Sequence, residues 1–138
     1  IERKGLTSGI PAFAVEKTQR VKPHHLESIR MARKAGVQIA MGTDAGTPFN
    51  MHGKNTGELK LLVEQGFSPS EAIQAGTREA ARVLGVERDL GTIEEGKLAD
   101  LIVVEGNPLE DITRLLKSED IPLIMQGGKL VKEERQEP

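Results

Sequence analysis

Cysteine, tryptophan and tyrosine are missing from this 138-residue chain, and three phenylalanines are its whole aromatic content. Without cysteine there are no disulfides, no thiolate-bound zinc and no thiol nucleophile. That inventory fits a reducing compartment, and the cytoplasm is the expected location. With so few rings the core must be aliphatic, and platforms for stacking single-stranded nucleic acid are excluded. No apolar run approaches the ~20 residues of a membrane span, and no signal-peptide pattern opens the chain. Net charge is only −2, which argues against a general binder of nucleic acid or anionic membrane. Histidine is scarce as well: His24, His25 and His52 are the only three.

What remains describes a soluble globular chain, 37% apolar and 29% charged, long enough for one domain with a real core. Residues 1–35 carry eight Lys/Arg against three acids, and residues 36–138 carry eleven against eighteen. The mild basic start reads as a solvated helix face. The first residue is Ile1 rather than Met, which suggests a processed chain or a piece of a longer one.

Along the chain, residues 1–10 read as a loop and Pro11 to Arg20 as a short helix. Lys22-Pro23 opens a second helix that Gly36 stops. The run Val37-Gln38-Ile39-Ala40-Met41 reads as a buried strand, followed by a long loop over residues 42–53 rich in Gly, Thr, Asn and Pro. Loops of that length are often functional. A helix is expected from Asn55 to Gln65. Ser68-Pro69-Ser70-Glu71 is a capping-box signal for another reaching Leu84, interrupted near Gly76 and stopped by Gly85. After residue 85 the character changes. Strands are expected at Leu90–Ile93, Ala99–Val104, Ile121–Gln126 and Lys129–Val131, the last two joined at Gly127-Gly128, with a helical turn or two from Asp111 to Lys117. Residues 132–138 are charged and expected to fray. The organisation is α/β, divided into residues 1–84 and 85–138.

The focal point is Gly42-Thr43-Asp44-Ala45-Gly46 at the end of the expected strand. In parallel α/β architectures, loops at the carboxyl ends of strands carry the chemistry. A carboxylate there is a candidate general base or metal ligand, and equally a turn former bonding its own backbone. His52 is a candidate substrate contact or a solvated loop residue, and Thr47 and Asn50 have the same two readings, with turn chemistry as the bland one. His24 and His25 are adjacent, about 100° apart around a helix, and read as surface residues. A phosphate cradle at Gly42–Gly46 is a minor option, since neither a P-loop nor a dinucleotide fingerprint occurs. Asp100 is assigned to structure, bonding backbone.

Two stretches together carry a family likeness: MGTDAGTPFNMHGKNTGELKLLVEQGFSPSEAIQAGTREAARVLGV at 41–86 and LGTIEEGKLADLIVVEGNPLEDI at 90–112. They resemble the C-terminal part of a metal-dependent amidohydrolase of the imidazolonepropionase-like, Xaa-Pro dipeptidase (prolidase)-like branch. The resemblance implies a C-terminal fragment of a (β/α)8 TIM barrel, with Val37–Met41 as its last strand. It assigns residues 85–138 to a small composite β-sandwich. It implies hydrolysis of a carbon–nitrogen bond in a small amide or dipeptide. It also implies a divalent metal, zinc being the family default, with Asp44 as metal ligand and proton shuttle and His52, Thr47 and Asn50 on the substrate side.

The family's other metal ligands lie upstream of this strand: an H-x-H pair, a bridging lysine carbamate or carboxylate, and two further histidines. No H-x-H occurs here. The expectation is therefore a chain that is inactive alone and that forms an oligomer, a strand-swapped dimer or a complex with the rest of the enzyme. The alternative from another class is a non-catalytic α/β binding or assembly domain.

Overall fold

The computed structural model describes residues 10–46 and 50–134. Helix α1 spans Ala12–Lys34, α2 Gly57–Glu64, α3 Pro69–Gly76 and α4 Arg78–Leu84. Strands β1 (Leu101–Val103), β2 (Leu123–Gln126) and β3 (Lys129–Glu133) follow. They form one antiparallel sheet in the order β1-β2-β3. Single 3-10 turns at Ile112–Leu116 and Ser118–Asp120 connect β1 to β2.

Local chemistry explains several boundaries. At α3 the Ser68 hydroxyl accepts from the Glu71 N–H, and the Glu71 carboxylate accepts from the Ser68 N–H at 2.7 Å. Two of the orphan donors of the first turn are thereby satisfied reciprocally. Pro69 occupies the first turn, where no N–H is needed. Thr77, at φ −125° and ψ −90°, separates α3 from α4, as the interruption near Gly76 predicts. Gly85 ends α4 in the left-handed region at φ 70°.

Three expectations are corrected. Pro11–Arg20 and the segment from Lys22 form one helix, with Pro23 inside it. Residues 19–25 all lie on the exposed part of that helix, where water can serve a carbonyl that loses its N–H partner to proline. Leu90–Ile93 forms no strand, and residues 90–92 are a bend. Gly91, at φ 94°, lies so close to α4 that a Cβ there would meet the Ala81 Cβ at 2.6 Å, which holds the segment in a turn. Val37–Met41 is not assigned as strand. Strands exist through ladder partners, and among the described residues no strand runs beside this one. Its recorded tie to α3 is the Met41 N–H to the Ala75 carbonyl at 2.9 Å.

The core sits where α2 and α3 meet the 3-10 turn after β1. Leu59, Leu62, Phe67, Ala72, Ala75, Ile112 and Leu115 are buried, with Ile29, Ile39, Met41 and Val104 packed against them. It is almost wholly aliphatic, as the composition requires, and it draws on residues from both sides of position 85. Gly76 has a packing reason: a Cβ there would meet Leu59 Cδ2 at 3.1 Å and Met41 Sδ at 3.4 Å. That close approach seats Met41, and hence the start of the Gly42–Gly46 segment, on the end of α3.

Candidate functional site

Beyond Met41 the chain enters the loop that carries Asp44. Asp44 is exposed and is the only non-glycine described residue with positive φ, at 49°. A side chain in the left-handed region costs on the order of 1 kcal/mol or more, least for Asn and Asp. Among the described residues, three bonds hold the loop around it. The Thr43 Oγ1 accepts from the Ala45 N–H at 3.3 Å. The Asn50 carbonyl accepts from the Gly46 N–H at 2.8 Å. The Asn50 side-chain amide donates to the Thr43 carbonyl. Asn50 thus grips both ends of the turn that displays Asp44.

His52 joins the same cluster. Its Nε2 lies 3.2 Å from where a Cβ on Gly46 would stand, and Gly46 itself adopts φ 100°. The ring packs against the turn, though His52 remains exposed. Asp44, Asn50 and His52 are therefore carried on one loop, while Thr47 lies outside the described residues. His24 and His25 sit exposed on α1. Beside His25 is Glu58 of α2, whose carboxyl is pushed above its ordinary value by burial and drawn back by His25. Among the described residues no group of three or more His, Cys, Asp or Glu is placed to hold a metal ion.

A separate groove of about 540 Å³ lies between α2, α3 and the β1 region, lined by Met41, Leu59, Ile73, Leu101, Val104 and Leu115 among others. Its only acid or base is Asp100, and the Asp100 carboxylate accepts from the Gly127 N–H at 2.6 Å. The groove is apolar, with Asp100 as its one titratable group, whereas the loop displays the exposed Asp44 carboxylate and the exposed His52 imidazole. The structural duty given to Asp100 from sequence agrees with this bond.

In the sequence Asp44 stands out as a candidate because an acid follows an apolar run, whereas the tie from Asn50 to Thr43 acts across seven residues and has no local spacing rule. The acids whose carboxyl values are depressed serve structure. Glu71 is held down by the Ser68 N–H and hydroxyl and by Arg33. Glu79 is held down by Arg78 and Arg82, and Asp111 by Thr113.

The chain is 40% identical over 118 residues to an ochratoxinase of Aspergillus niger, a match covering 84% of this chain and 24% of that protein. It is 39% identical over 80 residues to an imidazolonepropionase of Legionella pneumophila, covering 54% of this chain and 19% of the relative. The solved structure of a Xaa-Pro dipeptidase with methionine bound in its active site superposes with a TM-score of 0.79 at 42% identity, over 89% of this chain and 29% of that one. The chain thus spans about a quarter of the length of the curated relatives it matches. Residues 1–131 match the description of the amidohydrolase family, and the chain belongs to that family, within its prolidase-like and imidazolonepropionase-like branch.

Proposed function

We propose that this chain is the C-terminal part of a hydrolase that cleaves an amide or peptide carbon–nitrogen bond, and that its contribution to the reacting centre is the Asp44 carboxylate. The observation that carries this reading is the display of Asp44: exposed, left-handed at φ 49°, and gripped from both sides by Asn50. In this reading residues 1–84 belong to a (β/α)8 barrel in which Val37–Met41 becomes the last strand only when neighbouring strands supply the ladder that the described residues lack, and residues 85–138 belong to a small composite β-sandwich. An exposed carboxylate displayed on a loop is suited to accept a proton from an attacking water and return it to a departing amine. His52 stands on the same loop and is read, together with Thr47 in the sequence, as a group on the substrate side. A Xaa-Pro dipeptide is the first substrate to test, after the dipeptidase this chain resembles.

The reading also calls for a divalent metal, with zinc as the first candidate and Asp44 as one ligand. The described residues do not by themselves fit such an ion, since they bring no set of three ligating groups together. The chain alone therefore holds one corner of a site and is expected to be inactive. The purified 138-residue chain, assayed on Xaa-Pro dipeptides with and without zinc, is expected to show no turnover. The same chain joined to the missing barrel strands is expected to be active, and Asp44→Asn to lower that activity by about 100-fold or more. Turnover by the isolated chain would refute its inactivity, and an unaffected Asp44→Asn enzyme would refute the role of Asp44.

Self-association is the second part of the proposal. Among the described residues, β1 and β3 are the two edges of the sheet, and Val83, Leu84 and Ile93 are each at least three-quarters exposed. Open edges and apolar patches of this kind invite pairing with another chain. Light scattering is expected to report an oligomer, and a concentration-independent monomer counts against it.

A further inference from the structure

We infer that Asn50 is a positioning residue, one that acts through Asp44 by holding its backbone in the left-handed region. This deepens the hydrolase reading and rests on it for its catalytic consequence, although the geometric claim stands on the loop itself. The Thr43 carbonyl, immediately before Asp44, is purely an acceptor. The group facing it must therefore be the Asn50 amide nitrogen, which fixes the orientation of that side chain. Two residues after Asp44, the Gly46 N–H is taken by the Asn50 carbonyl at 2.8 Å. Asn50 is half-buried, so these bonds are partly shielded from water, which strengthens them.

The span between the two gripped groups is Thr43 to Gly46, and Asp44 lies inside it with φ 49°. An unusual backbone conformation persists when its surroundings over-determine it. Among the described residues those surroundings include the two bonds from Asn50 and the Thr43 hydroxyl, which accepts from the Ala45 N–H at 3.3 Å. A left-handed residue sends its side chain in a direction that a right-handed or extended residue would not. Releasing the grip would therefore re-aim the Asp44 carboxylate without changing its chemistry. A contact made by Asn50 with substrate would behave differently, weakening binding and leaving Asp44 in place.

The decisive variant is Asn50→Asp, nearly isosteric but with an acceptor where the Thr43 carbonyl needs a donor. In the full 138-residue chain, NMR reads the φ of Asp44 through the intraresidue HN–Hα cross-relaxation, which is strong only in the left-handed region. That intensity is expected to fall about fourfold in Asn50→Asp as φ leaves the left-handed well, while the Glu71 and Gly85 amides keep their shifts. Full intensity at Asp44 in the variant overturns the inference. A second measurement covers the case of a variant that folds poorly. In an Asp44→Gly background, where left-handed φ is free, Asn50→Asp should perturb the unfolding constant at least about threefold less than in the parent chain. Equal effects in both backgrounds overturn the inference.

In the assembled hydrolase, Asn50→Asp is expected to lower kcat about tenfold or more with KM within about twofold. A change confined to KM would overturn positioning in favour of substrate contact. The NMR measurement needs no activity, so its failure is distinguishable from failure of the hydrolase reading, which would appear as an inactive assembled protein with the Asp44 signature intact.

Discussion

The Arg33 guanidinium lies over the Phe67 ring, 5.2 Å from its centroid, and the same group donates to the Glu71 carboxylate at 3.2 Å. One side chain of α1 thereby joins the buried aromatic before α3 to the capping box of α3. Both contacts are partly open to water, with the Arg33 side chain 41% exposed. Each is accordingly modest: about 0.5–1 kcal/mol for the cation–π contact, with the exposed ion pair screened by water. Arg33→Ala is expected to cost about 0.5–1 kcal/mol in urea unfolding. Arg33→Lys should recover part of that, because a lysine keeps the charge and loses the planar stack. A lysine variant as unstable as the alanine one would show that the charge contributes nothing.

The capping box should also make the chain acid-sensitive. The Glu71 carboxyl is held below its ordinary value chiefly by the Ser68 N–H, then by the Ser68 hydroxyl and Arg33. Asp111 is lowered by Thr113 and Glu79 first by Arg78. Such groups bind fewer protons in the folded chain than in the unfolded one. Their stabilisation is complete above the unfolded carboxylate value of roughly 4 and is lost as pH falls through that value toward the lower folded one. Glu58, raised by burial, works in the opposite sense. With three lowered groups against one raised, Tm is expected to fall below about pH 5. Glu71→Gln should start from a lower Tm at neutral pH and lose less on acidification. A variant with the parent's acid slope would exclude Glu71 as a source of it.

Gly91 should be intolerant of any side chain. It adopts φ 94°, and a Cβ would stand 2.6 Å from the Ala81 Cβ and 3.1 Å from the Arg78 Cα. One obstacle is backbone and the other is anchored in α4, so neither can swing aside. Overpacking and left-handed strain together predict a loss of about 3 kcal/mol for Gly91→Ala. Gly96 also has positive φ, at 88°, but has nothing within 4 Å of its Cβ position, so Gly96→Ala should lose only the strain component, about 1 kcal/mol. Comparable losses in the two variants, measured by urea unfolding, would show that the bend at residues 90–92 can move away from α4.

The contrast among these sites also explains what could be read from sequence. The capping box at Ser68 and Glu71, the break near Gly76 and the Gly127-Gly128 hairpin obey rules spanning a few residues, and the structure contains all three. Pro23 obeys a local rule too, but the rule concerns an average helix, and an exposed helix face can accommodate the lost bond. Val37–Met41 has the composition of a buried strand, yet strand identity depends on a neighbouring ladder that a composition cannot supply. At the candidate site, Asp44 was visible because an acid after an apolar run is a short pattern. The grip of Asn50 was not, because its amide reaches the Thr43 carbonyl only once the loop has closed.

Asp100 offers the last test, because it is the only acid or base lining the apolar groove. Its carboxylate accepts from the Gly127 N–H at 2.6 Å, and next to it the Ala99 carbonyl accepts from the Gly128 N–H at 3.1 Å. These bonds tie the β2–β3 turn to the start of β1, in the register that pairs Leu101 with Met125. A hydrogen bond to a charged group contributes about 1.5–3 kcal/mol when shielded, and Asp100 is exposed, so Asp100→Ala is expected to cost about 1 kcal/mol. Hydrogen exchange at the Gly127 amide should accelerate about tenfold with it, as the turn opens locally. Asp100→Asn keeps an acceptor in place and should behave close to the parent. If Asp100→Ala leaves the Gly127 amide as protected as before, the carboxylate is not needed by the hairpin. The groove would then hold an available acid, and chemistry could no longer be assigned to the Asp44 loop alone.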